Sequence, residues 1–391
     1  MSIAIVSAQT GNGHNAVMKA LHEGFNRHGY HDVSVHPSYY EDLLVSNRVL
    51  SEFYNFLLVA STEVCAKYVE FSNLKSAVIS GLEYRETSAN LLKLVGTEGL
   101  QAIVSTSPLL NRNLIRALKD SGRGQDVRFY VVITDPFKPM APGFTEKGAT
   151  RYFCPTPTVR QLLEDSGIDP ALTEVTGFPV SAKFTTRNPA HERESLFREL
   201  GLSAEKRTIL LNGGAAGAPH YLKLLQASVE SGTDWQIILL CGHNLALYTL
   251  ATRYVRDKYR HVVVLPFSER VADLLSLADV VVTKPGASAF FESLHAGVPV
   301  IVDGVTGFLY QEKGVVDFLA RFNVGWVLND YVELLHLLQC CDKSLLDRYR
   351  RNIESLQLAN GADAIVSVAL QDLYGYTDLY AESATSSRSG M

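Results

Sequence analysis

The stretch TILLNGGAAG, residues 208–217, runs an unbroken apolar strand into a glycine turn in the middle of the chain. The chain opens in the same way: IAIVSAQTGNGH, residues 3–14, carries an apolar strand into Gly11 and Gly13, and a helical pattern follows. A strand apolar at every position is buried on both faces, as in a parallel sheet covered by helices. Two such openings predict two α/β units in tandem, each with its own parallel sheet.

The rest of the chain extends both series. Strands are expected at 3–8, 33–36, 102–105, 129–134 and 152–153, then at 208–212, 236–240, 262–265, 280–283, 298–302 and 324–327. The expected division is an N-terminal domain over 1–178 and a C-terminal domain over 179–376, with the hinge at Gly177-Phe178-Pro179-Val180-Ser181. A Ser/Thr-rich tail, 377–391, is expected to be disordered. Between the second and third strands lies a helical stretch, about 39–95, rich in Leu, Phe and Tyr. A plain α/β domain does not need it.

A length of 391 residues suits two domains. Apolar residues make up 47% and charged residues 20%, the profile of a globular protein, and a net charge of −5 argues against nucleic acid as a partner. The five cysteines form no CxxC pair, which suits a reducing compartment better than a disulfide scaffold or zinc site. The first residues enter a strand directly, so no secretion signal is expected. No segment reaches the roughly 18–20 apolar residues that span a bilayer. The apolar run 53–62 is about half that length and could lie on a membrane surface.

Several turns carry chemistry. Exposed amides at Gly213, Gly214 and Gly217, with the positive end of the next helix, can hold a diphosphate without a metal; the plain alternative is a tight connection with nothing bound. In TKPGASAFFE, 283–292, a buried strand ends at Lys284-Pro285-Gly286, and Ser288 is expected to cap the helix that follows. Glu292, four residues on, can accept both hydroxyls of a ribose, or it is merely an acid complementing the helix dipole. Cys241-Gly242-His243-Asn244 closes another strand, its cysteine reading as small packing. No Asp-x-Asp occurs, so no metal is expected. A dinucleotide fingerprint at Gly11-x-Gly13-x-x-Ala16 would need an acid ending the second strand, where His36-Pro37 stands instead.

Taken in order, GNGH at 11–14, ITD at 133–135, GFPV at 177–180, LLNGG at 210–214, CGHN at 241–244, DVVVTKPGAS at 279–288 with Glu292, and QE at 311–312 resemble one family. It is the monogalactosyldiacylglycerol synthase and processive diacylglycerol glucosyltransferase group, with a more distant likeness to the lipid II-forming N-acetylglucosaminyltransferase. The resemblance implies the GT-B fold, two Rossmann-like domains facing across a cleft, a fold shared with UDP-sugar 2-epimerases. It further implies a metal-independent, inverting transfer of a hexose from a UDP-sugar to a lipid hydroxyl such as that of diacylglycerol. No cofactor beyond the donor is implied.

In that picture Cys241, Gly242, Asn244 and Phe267 enclose the base, and Glu292 holds the ribose. Gly213, Gly214 and Ser288 contact the phosphates beside Lys284 and Gly286, while Gln311 and Glu312 hold sugar hydroxyls. On the acceptor wall, Gly11, Asn12 and Gly13 let substrate approach the backbone. His14 takes the proton of the attacking hydroxyl, and Asp135 orients it or is the base itself. The insertion, with Leu50, Phe53, Tyr54, Leu57 and Leu58 on one face and Phe56 beside them, would dip into a membrane surface; the plain alternative is packing on the first domain. The implied location is peripheral, on the cytoplasmic face of a membrane, with UDP-sugar and lipid as partners.

This chain departs from the family pattern at Ser288-Ala289, at Lys313-Gly314-Val315 after Gln311-Glu312, and at Pro136-Phe137-Lys138-Pro139-Met140 after Asp135. A prenyl-phospholipid or secondary-metabolite lipid is therefore an alternative acceptor. The rival readings are a UDP-sugar 2-epimerase, which needs carboxylates converging from both domains, and a UDP-sugar-binding regulator without turnover.

Overall fold

Among the described residues of the computed structural model, twelve strands form two six-stranded sheets, parallel throughout. The structure describes residues 2–11, 13–186, 189–256 and 258–375, with the side chains of 59 and 70–82 left aside. Asn12 and the tail 377–391, both singled out in the sequence, lie outside the described residues.

The N-terminal sheet comprises β1 (Ser2–Val6), β2 (Val33–His36), β3 (Leu100–Ser105), β4 (Arg128–Val132), β5 (Arg151–Cys154) and β6 (Thr173–Val175), in the order β2-β1-β3-β4-β5-β6. The C-terminal sheet comprises β7 (Thr208–Asn212), β8 (Gln236–Leu240), β9 (Val262–Leu265), β10 (Val280–Thr283), β11 (Val300–Asp303) and β12 (Gly325–Leu328), in the order β12-β11-β10-β7-β8-β9. This is the doubly wound arrangement, and all five residues of β7 and of β8 are buried. The short β6 was not expected, because Thr-Glu-Val has neither alternation nor a continuous apolar run.

In such sheets a crevice opens beyond the strand C-termini where the chain reverses its direction of winding. Here the reversals fall between β1 and β3 and between β7 and β10. Gly11 to His14 follow β1, Gly213 and Gly214 follow β7, and Lys284 to Gly286 follow β10. Topology therefore puts both glycine turns at their own sheet's crevice. The expected strand 129–134 stops at Val132, which releases Thr134 and Asp135 into the loop at that edge.

The crossover between the halves is pinned twice by Asn360, whose Oδ1 accepts the Val180 amide at 3.1 Å and whose Nδ2 donates to the Val180 carbonyl at 2.9 Å. From there the last helix, Gly361–Tyr374, returns to pack on the first helix, Gly13–Arg27. Arg27 donates to Asp363 at 2.6 Å, and Arg151 forks onto Asp372. Sequence order alone counts this helix with the C-terminal domain, but in space it lies against the N-terminal one.

The insertion is helical throughout: Tyr39–Leu43, Val45–Ala60 and Thr62–Val95. Its expected single apolar face divides in two. Leu57 is buried, packing with Cys65 and with Leu309 of the C-terminal domain. Val45, Val49, Phe53 and Phe56, at helical spacing, are exposed instead, Phe56 at 65%. No helix among the described residues is long and apolar enough to cross a membrane.

Candidate active site

The two crevices merge into one cleft of about 730 Å³. Gly11, Gly13, His14, Tyr54 and Asp135 line its N-terminal wall. Facing them are Gly213, Gly214, Gly242, Phe267, Lys284, Gly286, Ser288, Glu292, Gln311 and Glu312.

His14 sits in the first turn of the helix Gly13–Arg27, and its Nδ1 lies 2.8 Å from Thr134 Oγ1. Apart from its cleft side the imidazole is enclosed by protein, and desolvation pushes its pKa down to about 4 against a hydrogen bond with the Thr106 backbone. The Asp135 Oδ2 accepts the Ala141 amide at 2.8 Å, while the Thr134 side chain meets the ring. Burial raises the Asp135 carboxyl to about 6.

The glycine loop ahead of His14 is held by the insertion. Asn55 Oδ1 accepts the Gly11 amide at 2.9 Å, and Asn55 Nδ2 donates to the Gln9 carbonyl at 2.6 Å. Glu41 accepts both the Gln9 amide at 2.9 Å and the Ser51 hydroxyl at 2.6 Å. The insertion thus builds part of the N-terminal wall of the cleft.

Across the cleft, Asn212 Oδ1 accepts the Gly214 amide at 3.0 Å and shapes the turn after β7. The loop after β8 nests against it so closely that a Cβ on Gly242, at φ +57°, would stand 2.6 Å from the Gly214 carbonyl oxygen. His243 stacks on Phe267 with centroids 4.1 Å apart and planes 12° apart, and both rings border the cleft. Cys241 does not border it. The thiol is buried in the C-terminal core, its pKa pushed up to about 12 by burial, because the strand-end residue points back into the sheet packing. Asn244 likewise serves the fold, accepting the Leu247 amide at 2.9 Å as a helix N-cap.

Ser288 is not the cap expected of it. The helix Ala287–His295 begins two residues earlier than such a cap would set it, with Gly286 at the cap position, so Ser288 falls within the first turn. Its hydroxyl donates instead across the cleft to the Gly13 carbonyl at 3.3 Å. Glu292, one turn further on, is raised to about 7 by burial, against the attraction of Lys183. Glu312 is also raised to about 7, while its Oε2 accepts the Leu309 amide at 2.8 Å. Burial lowers the Lys284 ammonium, which Asp303 and Glu312 partly restore. Of the expected membrane residues, Phe53 and Phe56 are exposed outside the cleft, Tyr54 faces into it, and Leu57 is buried. Among the described residues no group of His, Cys, Asp and Glu is arranged to hold a metal ion.

Sequence reasoning missed Thr134 and Asn55 as site residues. Both act through partners more than 40 positions away, which no local pattern reveals. His243 was visible within its motif, but its stacking on Phe267 was not.

Comparison with known proteins agrees with this geometry. Residues 14–180 match the family model for monogalactosyldiacylglycerol (MGDG) synthase, and residues 208–302 match the glycosyltransferase family 28 C-terminal domain. The chain is 26% identical over 378 residues to the processive diacylglycerol beta-glucosyltransferase of Bacillus subtilis, covering 95% of each. It is also 26% identical to monogalactosyldiacylglycerol synthase 1 of Arabidopsis thaliana, over 83% of this chain and 61% of the plant protein.

Among solved structures, MurG of Acinetobacter baumannii superposes with a TM-score of 0.62 at 15% identity, covering 94% of this chain and 98% of its own. Anabaena HepE in complex with UDP gives 0.56 at 13%, covering 95% and 100%. A putative UDP-N-acetylglucosamine 2-epimerase from Listeria monocytogenes gives 0.58 at 15%, covering 96% and 98%. These likenesses give the fold: two Rossmann-like domains in the GT-B arrangement.

Proposed function

We propose that this chain, with an MGDG-synthase N-terminal half and a family 28 C-terminal half on a GT-B frame, is a glycosyltransferase that moves a hexose from a UDP-sugar to the hydroxyl of diacylglycerol. The observation that carries this reading is the single cleft lined on one side by His14 and Asp135 and on the other by Gly213, Gly214, Glu292, Gln311 and Glu312. The names of the bacterial and plant relatives support diacylglycerol as the acceptor, and the UDP-bound neighbour supports the donor.

In this reading the two domains divide the work, the N-terminal one holding the acceptor and the C-terminal one the donor. The uracil packs near the His243–Phe267 pair, and Glu292 in its ionised form accepts the ribose hydroxyls. The turn at Gly213 and Gly214 and the backbone amides at the start of the helix Ala287–His295 meet the diphosphate, with Lys284 as the nearby cation. Gln311 and Glu312 take sugar hydroxyls. Amides and a lysine supply the positive field, so the proposal needs no metal.

The displacement is inverting: the lipid oxygen attacks the anomeric carbon, the bond to the UDP oxygen breaks, and UDP leaves with the electron pair. The attacking hydroxyl must give up its proton, and His14 is the proposed base. Two groups of the N-terminal wall, His14 and Asp135, can accept a proton, and the arriving diphosphate distinguishes them. Its negative charge raises the pKa of every group nearby. That lifts His14 from about 4 toward the working range, while it lifts Asp135 from about 6 toward its protonated form. The exposed stripe Val45, Val49, Phe53 and Phe56 is proposed to rest on the bilayer beside the acceptor wall, making the protein peripheral on the cytoplasmic face.

The test is UDP release from UDP-glucose or UDP-galactose with and without diacylglycerol in detergent. Lipid-dependent release with a glycolipid product supports transfer. Epimerised UDP-sugar without acceptor, or tight binding with neither product, would overturn it.

A further inference from the structure

The loop after Asp135 and the residues after Glu312 meet in space. Phe137, two residues after Asp135, is nearly buried against the C-terminal domain. A Cβ placed on Gly314, two residues after Glu312, would overlap Phe137 Cβ and stand 2.8 Å from its Cγ and 3.2 Å from the Lys138 carbonyl oxygen. No L side chain fits at 314 while Phe137 holds this place. The same ring lies 6.1 Å from Phe291, centroid to centroid at 24°, and 5.5 Å from Phe318. Phe291 precedes Glu292, and it stacks in turn on Phe178 of the hinge at 4.7 Å and 9°. One aromatic side chain from the loop bearing Asp135 therefore touches the turn bearing Gln311 and Glu312, and the helix bearing Glu292.

We propose that Phe137 is a positioning residue that seats the Asp135 loop on the 311–314 segment and so holds the acceptor half in register with the donor half. The ring reaches no reacting atom in this scheme. It fixes the relative placement of groups that do, and a misplacement on the order of 1 Å between reacting groups costs about a hundredfold in rate. Gly314 is the other half of the device, because its missing side chain is the socket. The inference rests on the transferase reading for its kinetic test but not for its structural one.

Three variants test it: Phe137→Gly, Phe137→Leu and Gly314→Ala, with the double variant Phe137→Gly/Gly314→Ala. Phe137→Gly and Gly314→Ala are each expected to lower kcat by about 10- to 100-fold while leaving UDP affinity by calorimetry unchanged. Phe137→Leu should restore most of the rate. The double variant should be no worse than Phe137→Gly alone, since the methyl then meets no ring. A wild-type rate in Gly314→Ala, multiplicative losses in the double variant, or losses that appear in UDP affinity rather than kcat would overturn it. Independently of transfer, hydrogen exchange across 135–141 should be faster in Phe137→Gly than in the wild type. Equal exchange in both would also overturn it. Absence of lipid-dependent transfer with this exchange pattern intact would sink the transferase reading and leave the contact's role standing.

Discussion

Thr134 Oγ1 lies 2.8 Å from His14 Nδ1, which ties that ring nitrogen to the loop leading into Asp135. For Nε2 to accept a proton it must be bare, so Nδ1 carries the hydrogen and donates it to the threonine oxygen. His14→Ala should therefore lower kcat by about 10²- to 10⁴-fold. Thr134→Val, which removes the acceptor and keeps the shape, should cost about tenfold through loss of one net hydrogen bond. UDP affinity should be unchanged in both, measured by calorimetry. Full turnover in His14→Ala would remove it as the base.

The pH profile separates the imidazole from the carboxylates. A pKa lowered to about 4 keeps His14 neutral over most of the range, so it causes no loss of kcat/KM near pH 6.5. Glu292 and Glu312, raised to about 7, stay protonated below that pH and lose their ability to accept hydroxyl hydrogens at both oxygens. Donor kcat/KM should thus rise with pH through about 7, with a limb steeper than a single ionisation. In Glu292→Gln the limb should flatten and the donor KM should increase. A limb of unchanged steepness would exclude Glu292 from donor recognition.

Asn55 satisfies both the Gly11 amide and the Gln9 carbonyl, so it fixes the loop that leads into His14. Asn55→Ala should reduce kcat by about tenfold or more, consistent with two lost hydrogen bonds at about 1 kcal/mol each. Donor KM should change little, since the donor residues lie on the opposite wall. Steady-state kinetics with varied UDP-sugar would show the split, and a rise in KM alone would contradict it.

Exposed Phe53 and Phe56 stand on the outer stripe of the helix Val45–Ala60. Phe53→Ser/Phe56→Ser should weaken sedimentation with lipid vesicles at least tenfold, given about 1.5–3 kcal/mol for burying each ring. UDP binding should be retained. Equal vesicle binding by the double variant and the wild type would reassign the stripe to another partner.

Much of the fold was legible before any coordinates. A strand apolar at every position has one stable setting, the middle of a parallel sheet, and a glycine turn at its end marks where that sheet can bind a ligand. That local logic covered the two sheets and the strand-end positions of Gly213, Gly214, Lys284 and Gly286. The helical insertion was equally plain from composition, though not which of its apolar residues face outward, because Leu57 is covered by Leu309 from the far domain.

What the sequence determined by itself is therefore periodic and short in range: which segments become buried strands, and which turns follow them. Only the tertiary structure decided that Ser288 reaches Gly13 rather than capping its helix, that Thr134 meets His14, and that Phe137 occupies the space Gly314 leaves open. Each of these contacts joins residues more than 100 positions apart. They depend on how two separately wound sheets are set against each other, and that setting leaves no period in the chain.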